Sequence, residues 1–164
     1  MGKAKRKTIL FSCLGSTDPV RGEHDGPMLH IARHYRPDMI LWYMSKEMRM
    51  MEEKDNRYAL SIAYLKKQCP GYEPEILPPC CDELEDASDF DAFYDVFEEQ
   101  LRSISQKYPD AVILVNLSSG TPQMKTTLAL LSVTLQFPIQ AIQVKNFEKR
   151  SGTSERTTMK NYAA

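Results

Sequence analysis

The sequence predicts an α/β fold, a mostly parallel sheet of five to six strands with helices on both faces. Three observations lead there. Short apolar runs alternate along the chain with longer segments of helical period, the pattern of strand–helix–strand units. The runs are unbroken rather than alternating, so their residues are buried on both faces, as in a parallel sheet covered by helices. Length and composition fit one globular domain of this kind, with 164 residues, 42% hydrophobic and 26% charged.

Each element follows in order. Residues 9–14 (Ile-Leu-Phe-Ser-Cys-Leu) make the first strand, which Gly15 ends. A polar loop runs over 15–26. Pro27 suits a first helical position, and Met28, Ile31, Ala32 and Tyr35 carry helical spacing to about Arg36, where Pro37 stops it. Residues 38–44 form the second strand, and one long helix is expected from Ser45 to about Cys69, before Pro70-Gly71. A weaker strand spans 73–77, and 80–88 reads as loop. Phe90, Phe93, Phe97, Leu101 and Ile104 mark the next helix. Residues 111–115 (Ala-Val-Ile-Leu-Val) are the clearest strand, followed by a helix over 122–136 and a strand over 138–144. No element is expected over 145–164. Five such units make a Rossmann-like, doubly wound arrangement. Residues 1–150 are read as one ligand-binding domain and 151–164 as a polar tail.

The four cysteines, Cys13, Cys69, Cys80 and Cys81, form no Cys-x-x-Cys pair and no zinc-ligand spacing, which points to a reduced, cytoplasmic protein. The basic start, Met-Gly-Lys-Ala-Lys-Arg-Lys, leads into an apolar run too short to span a membrane. It reads as a solvated terminus, with an arm for a membrane or nucleic acid as the alternative. The net charge of -1 conceals an asymmetry. Residues 82–99 hold nine acids and no Lys or Arg, so the rest carries 21 basic against 13 acidic residues, a net of +8. The acidic stretch reads as a solvated loop and outer helix face, away from the ligand loops. No membrane, DNA or cofactor is expected.

Open parallel sheets bind ligands beyond the carboxyl ends of their strands, at the switch point. If the first strand and the strand over 111–115 are adjacent, two loops meet there. In the second, Ser118 and Ser119 offer hydroxyls, Gly120 admits close backbone approach, and Thr121 can cap a helix with Pro122 at its first position. A helix N-terminus so placed suits phosphate, a well-capped helix being the plainer alternative. The spacing is neither that of a P-loop nor Gly-x-Gly-x-x-Gly, which disfavours an NTPase or a dinucleotide dehydrogenase. In the first loop Arg21 could bridge phosphate, His24 could move a proton, and Asp18 before Pro19 could simply shape the turn. His30 and His34 have metal-binding spacing but no third ligand nearby in sequence, so no metal is expected.

Thr17-Asp18-Pro19-x-Arg21, His24-Asp25-Gly26 and His30-Ile31-Ala32-Arg33-x-Tyr35-Arg36-Pro37 resemble the opening of the type III-A CRISPR accessory ribonucleases. Residues 116–124 (Asn-Leu-Ser-Ser-Gly-Thr-Pro-Gln-Met) resemble the signature loop of their CRISPR-associated Rossmann-fold (CARF) domain. The resemblance implies a cyclic oligoadenylate sensor of type III CRISPR antiviral defence, with cyclic hexa-adenylate the expected ring. It implies a homodimer with the ring across its axis. A symmetric ligand suits an isologous interface. Gly15, Ser16, Thr17, Asp18, Arg21, His24, Asn116, Ser118, Ser119, Gly120, Thr121, Gln123 and Met124 would bind the ring. As an alternative, the domain would be a metal-independent ring nuclease. A ribose 2′-hydroxyl would attack the adjacent phosphate, with Thr121 and Asn116 as the catalytic pair. A flavodoxin-like or mononucleotide-binding domain is a third reading. One departure stands out: the Arg-x(4–6)-His motif of the family's HEPN ribonuclease domain is missing, since His34 is the last histidine. The chain thus looks like a sensor domain or standalone relative, its tail the stub of a linker to a HEPN effector domain.

Overall fold

A computed structural model describes residues 4–81 and 89–145, and the backbone of 160–163. Its main strands are β1 (Thr8–Cys13), β4 (Met39–Met44), β7 (Val112–Asn116) and β8 (Ile139–Gln143), separated by helices. The short β5 (Glu75–Ile76) and β6 (Cys80–Cys81) share the outer edge of β4. The sheet order is β5/β6, β4, β1, β7, β8, β9, and every pairing is parallel except that of β9 (Lys160–Ala163) with β8. Chain order reverses between β1 and β7, which places the switch point there.

Strand periodicity sends alternate residues into two cores. Leu10, Ile40, Trp42, Met44 and Ile142 meet α1 (Pro27–Tyr35), α2 (Lys46–Asp55) and α3 (Arg57–Gln68). Ile9, Phe11, Met39, Leu41, Tyr43, Ile113 and Val115 meet α4 (Phe90–Lys107) and α5 (Pro122–Thr134). Phe97 organises the second core, with its ring 4.9 Å from Tyr43, 5.5 Å from Phe93 and 5.7 Å from Phe11. The caps are local: Ser45 accepts from the Met48 amide, Asp89 from Ala92 and Thr121 from Met124.

The structure corrects several expectations. The single long helix over 45–69 is two, because Asn56 adopts φ 51° and turns the chain between α2 and α3. Asparagine tolerates this left-handed conformation better than most residues. The loop over 15–26 contains a hairpin, β2 (Val20–Arg21) with β3 (His24–Asp25), whose turn uses Gly22 at φ 60°. The strand over 73–77 shortens to Glu75–Ile76, and Cys80–Cys81 pairs with Tyr43 and Met44 where a loop was expected. Residues 160–163 pair with β8, although no element was expected there. Of the acidic stretch, residues 82–88 lie outside the described residues. The remainder lies at the start of α4, where Asp91, Asp95 and Glu99 face solvent.

Candidate functional site

The two loops touch. A Cβ added to Gly15 would lie 2.8 Å from the Gly120 amide nitrogen and 3.5 Å from its Cα, so backbone rests on backbone across the switch point. Gly120 has φ 96°, and a side chain there would meet Cys13 and Met124. Both positions therefore require glycine, one for space and one for conformation as well.

Asn116, at the end of β7, holds the second loop from beneath. Its amide nitrogen donates to Ser12 Oγ at 2.9 Å and Ser119 Oγ at 2.8 Å, and its oxygen accepts the Ser118 amide at 2.8 Å. Ser12 Oγ in turn donates to the Cys13 carbonyl. Asn116 is fully buried and Ser119 is 1% exposed, so both lie under the surface rather than on it. Met124 is buried as well. Ser118 Oγ accepts the Val144 amide at 2.7 Å, which ties the loop to the end of β8. Ser118, Gly120, Thr121 and Gln123 are partly exposed, and they crown the start of α5. Its N-terminal amides carry a partial positive charge toward solvent.

Asp18 does for the first loop what Asn116 does for the second. One carboxylate oxygen accepts the Gly15 amide and the other the Met28 amide, each at 3.0 Å. Its second bond caps α1, whose own N-cap, Gly26, has no side chain to do so. Asp18 is 4% exposed and shapes the loop. Ser16 is exposed and Thr17 partly so, and they face solvent beside Gly15. Arg21 and His24 sit opposite each other on the exposed hairpin. That hairpin is clamped by Arg33, whose Nε reaches Asp25 at 2.7 Å and whose Nη1 reaches Gln68 at 2.6 Å. The bond to Asp25 raises the Arg33 pKa.

Below the first loop Tyr58 donates to Met48 Sδ at 3.0 Å. Burial, assisted by the nearby Asp18 charge, pushes its phenol up to about 12. His30 and His34 face each other with ring centroids 4.3 Å apart. Among the described residues no three His, Cys, Asp or Glu side chains gather into a metal-binding group.

Ser12 and Val144 were not singled out from sequence, and Arg33 entered only as part of the resemblance motif. Only Ser12 left a signal there: it is the lone hydroxyl inside an otherwise apolar strand. The cavities bordering these elements lie to the side. One of about 580 Å³ sits between the hairpin and α3, lined by Pro19, Val20, Leu29, Leu60 and Tyr64 among others. Another, of about 540 Å³, opens at the opposite end of the sheet. At the surface of the two loops Ser16 is exposed, and Gly15, Thr17, Ser118, Gly120, Thr121 and Gln123 are partly so.

Residues 75–163, more than half of the chain, match the family described as the Cas_Csm6 CARF domain. The chain belongs to this family. The Csm6 CARF assignment agrees with curated relatives named CRISPR system endoribonuclease Csm6. The one from Enterococcus italicus is 38% identical over 148 residues, covering 87% of this chain and 33% of the relative. The one from Mycobacterium tuberculosis is 39% identical over 125 residues, covering 76% and 29%. The chain thus spans about a third of the length of the curated relatives it matches. Among solved structures, Enterococcus italicus Csm6 bound to cyclic hexa-2′-fluoro-hexa-dAMP is similar, with a TM-score of 0.73 at 36% identity over 86% of this chain and 34% of that one. Can2 from Sulfobacillus thermosulfidooxidans, in complex with cyclic tetra-adenylate, shares the fold at a TM-score of 0.51 and 14% identity, over 91% of this chain and 36% of that one. The Csm6 CARF domain described here has no helix, among its described residues, long and apolar enough to cross a membrane.

Proposed function

We propose that this domain senses cyclic oligoadenylate, with cyclic hexa-adenylate as the preferred ring, and binds it across the axis of a homodimer. The observation that carries the reading is the contact of Gly15 with Gly120. It fuses two loops into one exposed surface at the switch point, crowned by the N-terminus of α5. Such a surface offers amides and hydroxyls to phosphates, and a symmetric ring is suited to two copies of it. The relative solved with a cyclic hexanucleotide analogue supports the ring size. The curated relatives are named endoribonucleases, which supports RNA as a polymer present where such sensing occurs. The outward face of α5 supports pairing. Leu130 and Val133 are exposed there, and Lys125 is the only charged residue of the helix.

Titration with cyclic tetra- and hexa-adenylate, followed by melting temperature, tests the reading. The hexamer should raise the transition at lower concentration than the tetramer, by mass action on the folded state. No response to either ring, with a response to a flavin or mononucleotide, would favour a generic nucleotide-binding domain.

A second reading is metal-independent cleavage of the ring, favoured by Thr121, which stands partly exposed at the N-cap of α5 beside Gly120. A 2′-hydroxyl attack needs alignment and charge stabilisation, which a hydroxyl and helix amides can supply. Asn116 would act here by holding the loop, since it is buried. Linear products formed in EDTA and lost in Thr121→Ala would establish this reading, and an intact ring with tight binding would leave sensing alone.

A further inference from the structure

The basic start of the chain is not used by the ring site. Residues 4–7 are exposed, and the Lys7 carbonyl accepts the Val112 amide at 2.9 Å, which lays this segment beside the start of β7. The end of α4 stands opposite. Between them opens the cleft of about 540 Å³, lined by residues 4–7 and 107–111. Four of its side chains are cations, Lys5, Arg6, Lys7 and Lys107, against one carboxylate, Asp110. Lys107 Nζ lies 5.4 Å from the centroid of the Tyr108 ring, and that ring packs against the α4–α5 core. With a cation on it and the core beside it, Tyr108 steadies Lys107 rather than stacking on a base.

Cations gathered round a concavity suit a phosphate backbone, the part of a nucleic acid that carries no sequence. We infer that this cleft holds the backbone of single-stranded RNA and does so without reading its sequence. A lipid surface fits less well, because the exposed apolar side chains of the lining, Ala4 and Pro109, are too small to anchor in a bilayer. The six residues of β1 separate the cleft from the ring loops by about 20 Å, so the two anions do not compete. The inference extends the sensing proposal only in taking RNA as the polymer nearby, and either can fail without the other.

Fluorescence anisotropy of short labelled RNAs with the full 164-residue chain tests it. Oligouridine and mixed sequences should bind alike. The slope of log affinity against log salt should fall by about 0.7 for each lysine neutralised, in Lys5→Gln, Lys7→Gln and Lys107→Gln. The pair Lys5→Glu with Lys107→Glu should weaken binding about tenfold or more, because carboxylates then face phosphates where ammonium groups stood. Both side chains are exposed, so an unchanged melting temperature verifies that the variant folds. Saturating cyclic hexa-adenylate should leave RNA affinity unchanged. Displacement of RNA by the ring, RNA affinity insensitive to these variants, or binding to phosphatidylserine vesicles in place of RNA would each overturn the assignment.

Discussion

Asn116 and Asp18 show how little of a binding surface need touch its ligand. Each is a buried polar side chain whose hydrogen bonds tie a loop to the element beside it, Asn116 to Ser12 of β1 and Asp18 to the Met28 amide of α1. Removing such a group strands its partners away from water, which costs about 1–3 kcal/mol. Asn116→Ala should therefore lower the unfolding free energy measured in urea by an amount in that range and should also weaken ring binding, because the Ser118 amide and the Ser119 hydroxyl lose their fixed positions. Tyr58 makes a different residue-scale prediction. Its folded pKa, about 12, is raised above the usual phenol value of 10. The neutral form is the one the fold favours, so this stability is fully present below pH 10 and is lost as pH rises from there toward 12. Over that interval Tyr58 accounts for about 2 kcal/mol. Denaturation at stepped alkaline pH should show a shallower decline in Tyr58→Phe than in the parent. A decline should persist in the variant, because Tyr72, buried and donating to the Pro37 carbonyl, is raised as well.

Elements were legible in the sequence wherever burial imposed a long pattern. β1, β4 and β7 are mainly apolar on both faces, β8 buries Ala141 and Ile142 between two glutamines, and α1, α4 and α5 carry caps or proline at the expected ends, so these elements begin and end within a few residues of expectation. The α2–α3 break was not legible because apolar spacing runs through it: Met48 and Met51 continue into Tyr58, Ile62 and Leu65 on the same core. A single left-handed residue ends the helix without disturbing that spacing. Asn56→Val places a β-branched side chain at φ 51° and should cost about 1–2 kcal/mol in urea unfolding. Asn56→Gly should stay within a few tenths of a kcal/mol of the parent. The hairpin and the edge strands escaped because elements of two residues, such as β2 and β5, carry no period to read. The same limit applies to the ligand loops. Residue types located both loops, yet nothing periodic marked Asp18, Asn116, Ser119 and Met124 as facing inward while Ser16, Ser118, Thr121 and Gln123 reach the surface.

At the scale of the whole molecule, the proposed function requires two copies. One protomer presents an exposed platform, and a ring with rotational symmetry is held equally by a second platform related by a two-fold axis. The α5 helix begins at that platform and runs from it with Leu130 and Val133 facing solvent, 41% and 66% exposed. In the proposed dimer an exposed apolar helix face rising from the ligand loops would couple dimerisation to ring binding, because the same helix would contribute its N-terminus to the ring and its flank to the partner. Leu130→Glu with Val133→Glu should therefore shift the protein toward monomer in sedimentation velocity. The unliganded melting temperature should fall only by what the lost dimer contributed through mass action, since neither side chain belongs to a core. Ring affinity should fall with the dimer and recover in part as protein concentration is raised, because mass action restores the second platform. Unchanged ring affinity in a monomeric variant would mean that one protomer binds the ring alone, and the two-fold arrangement would have to be abandoned.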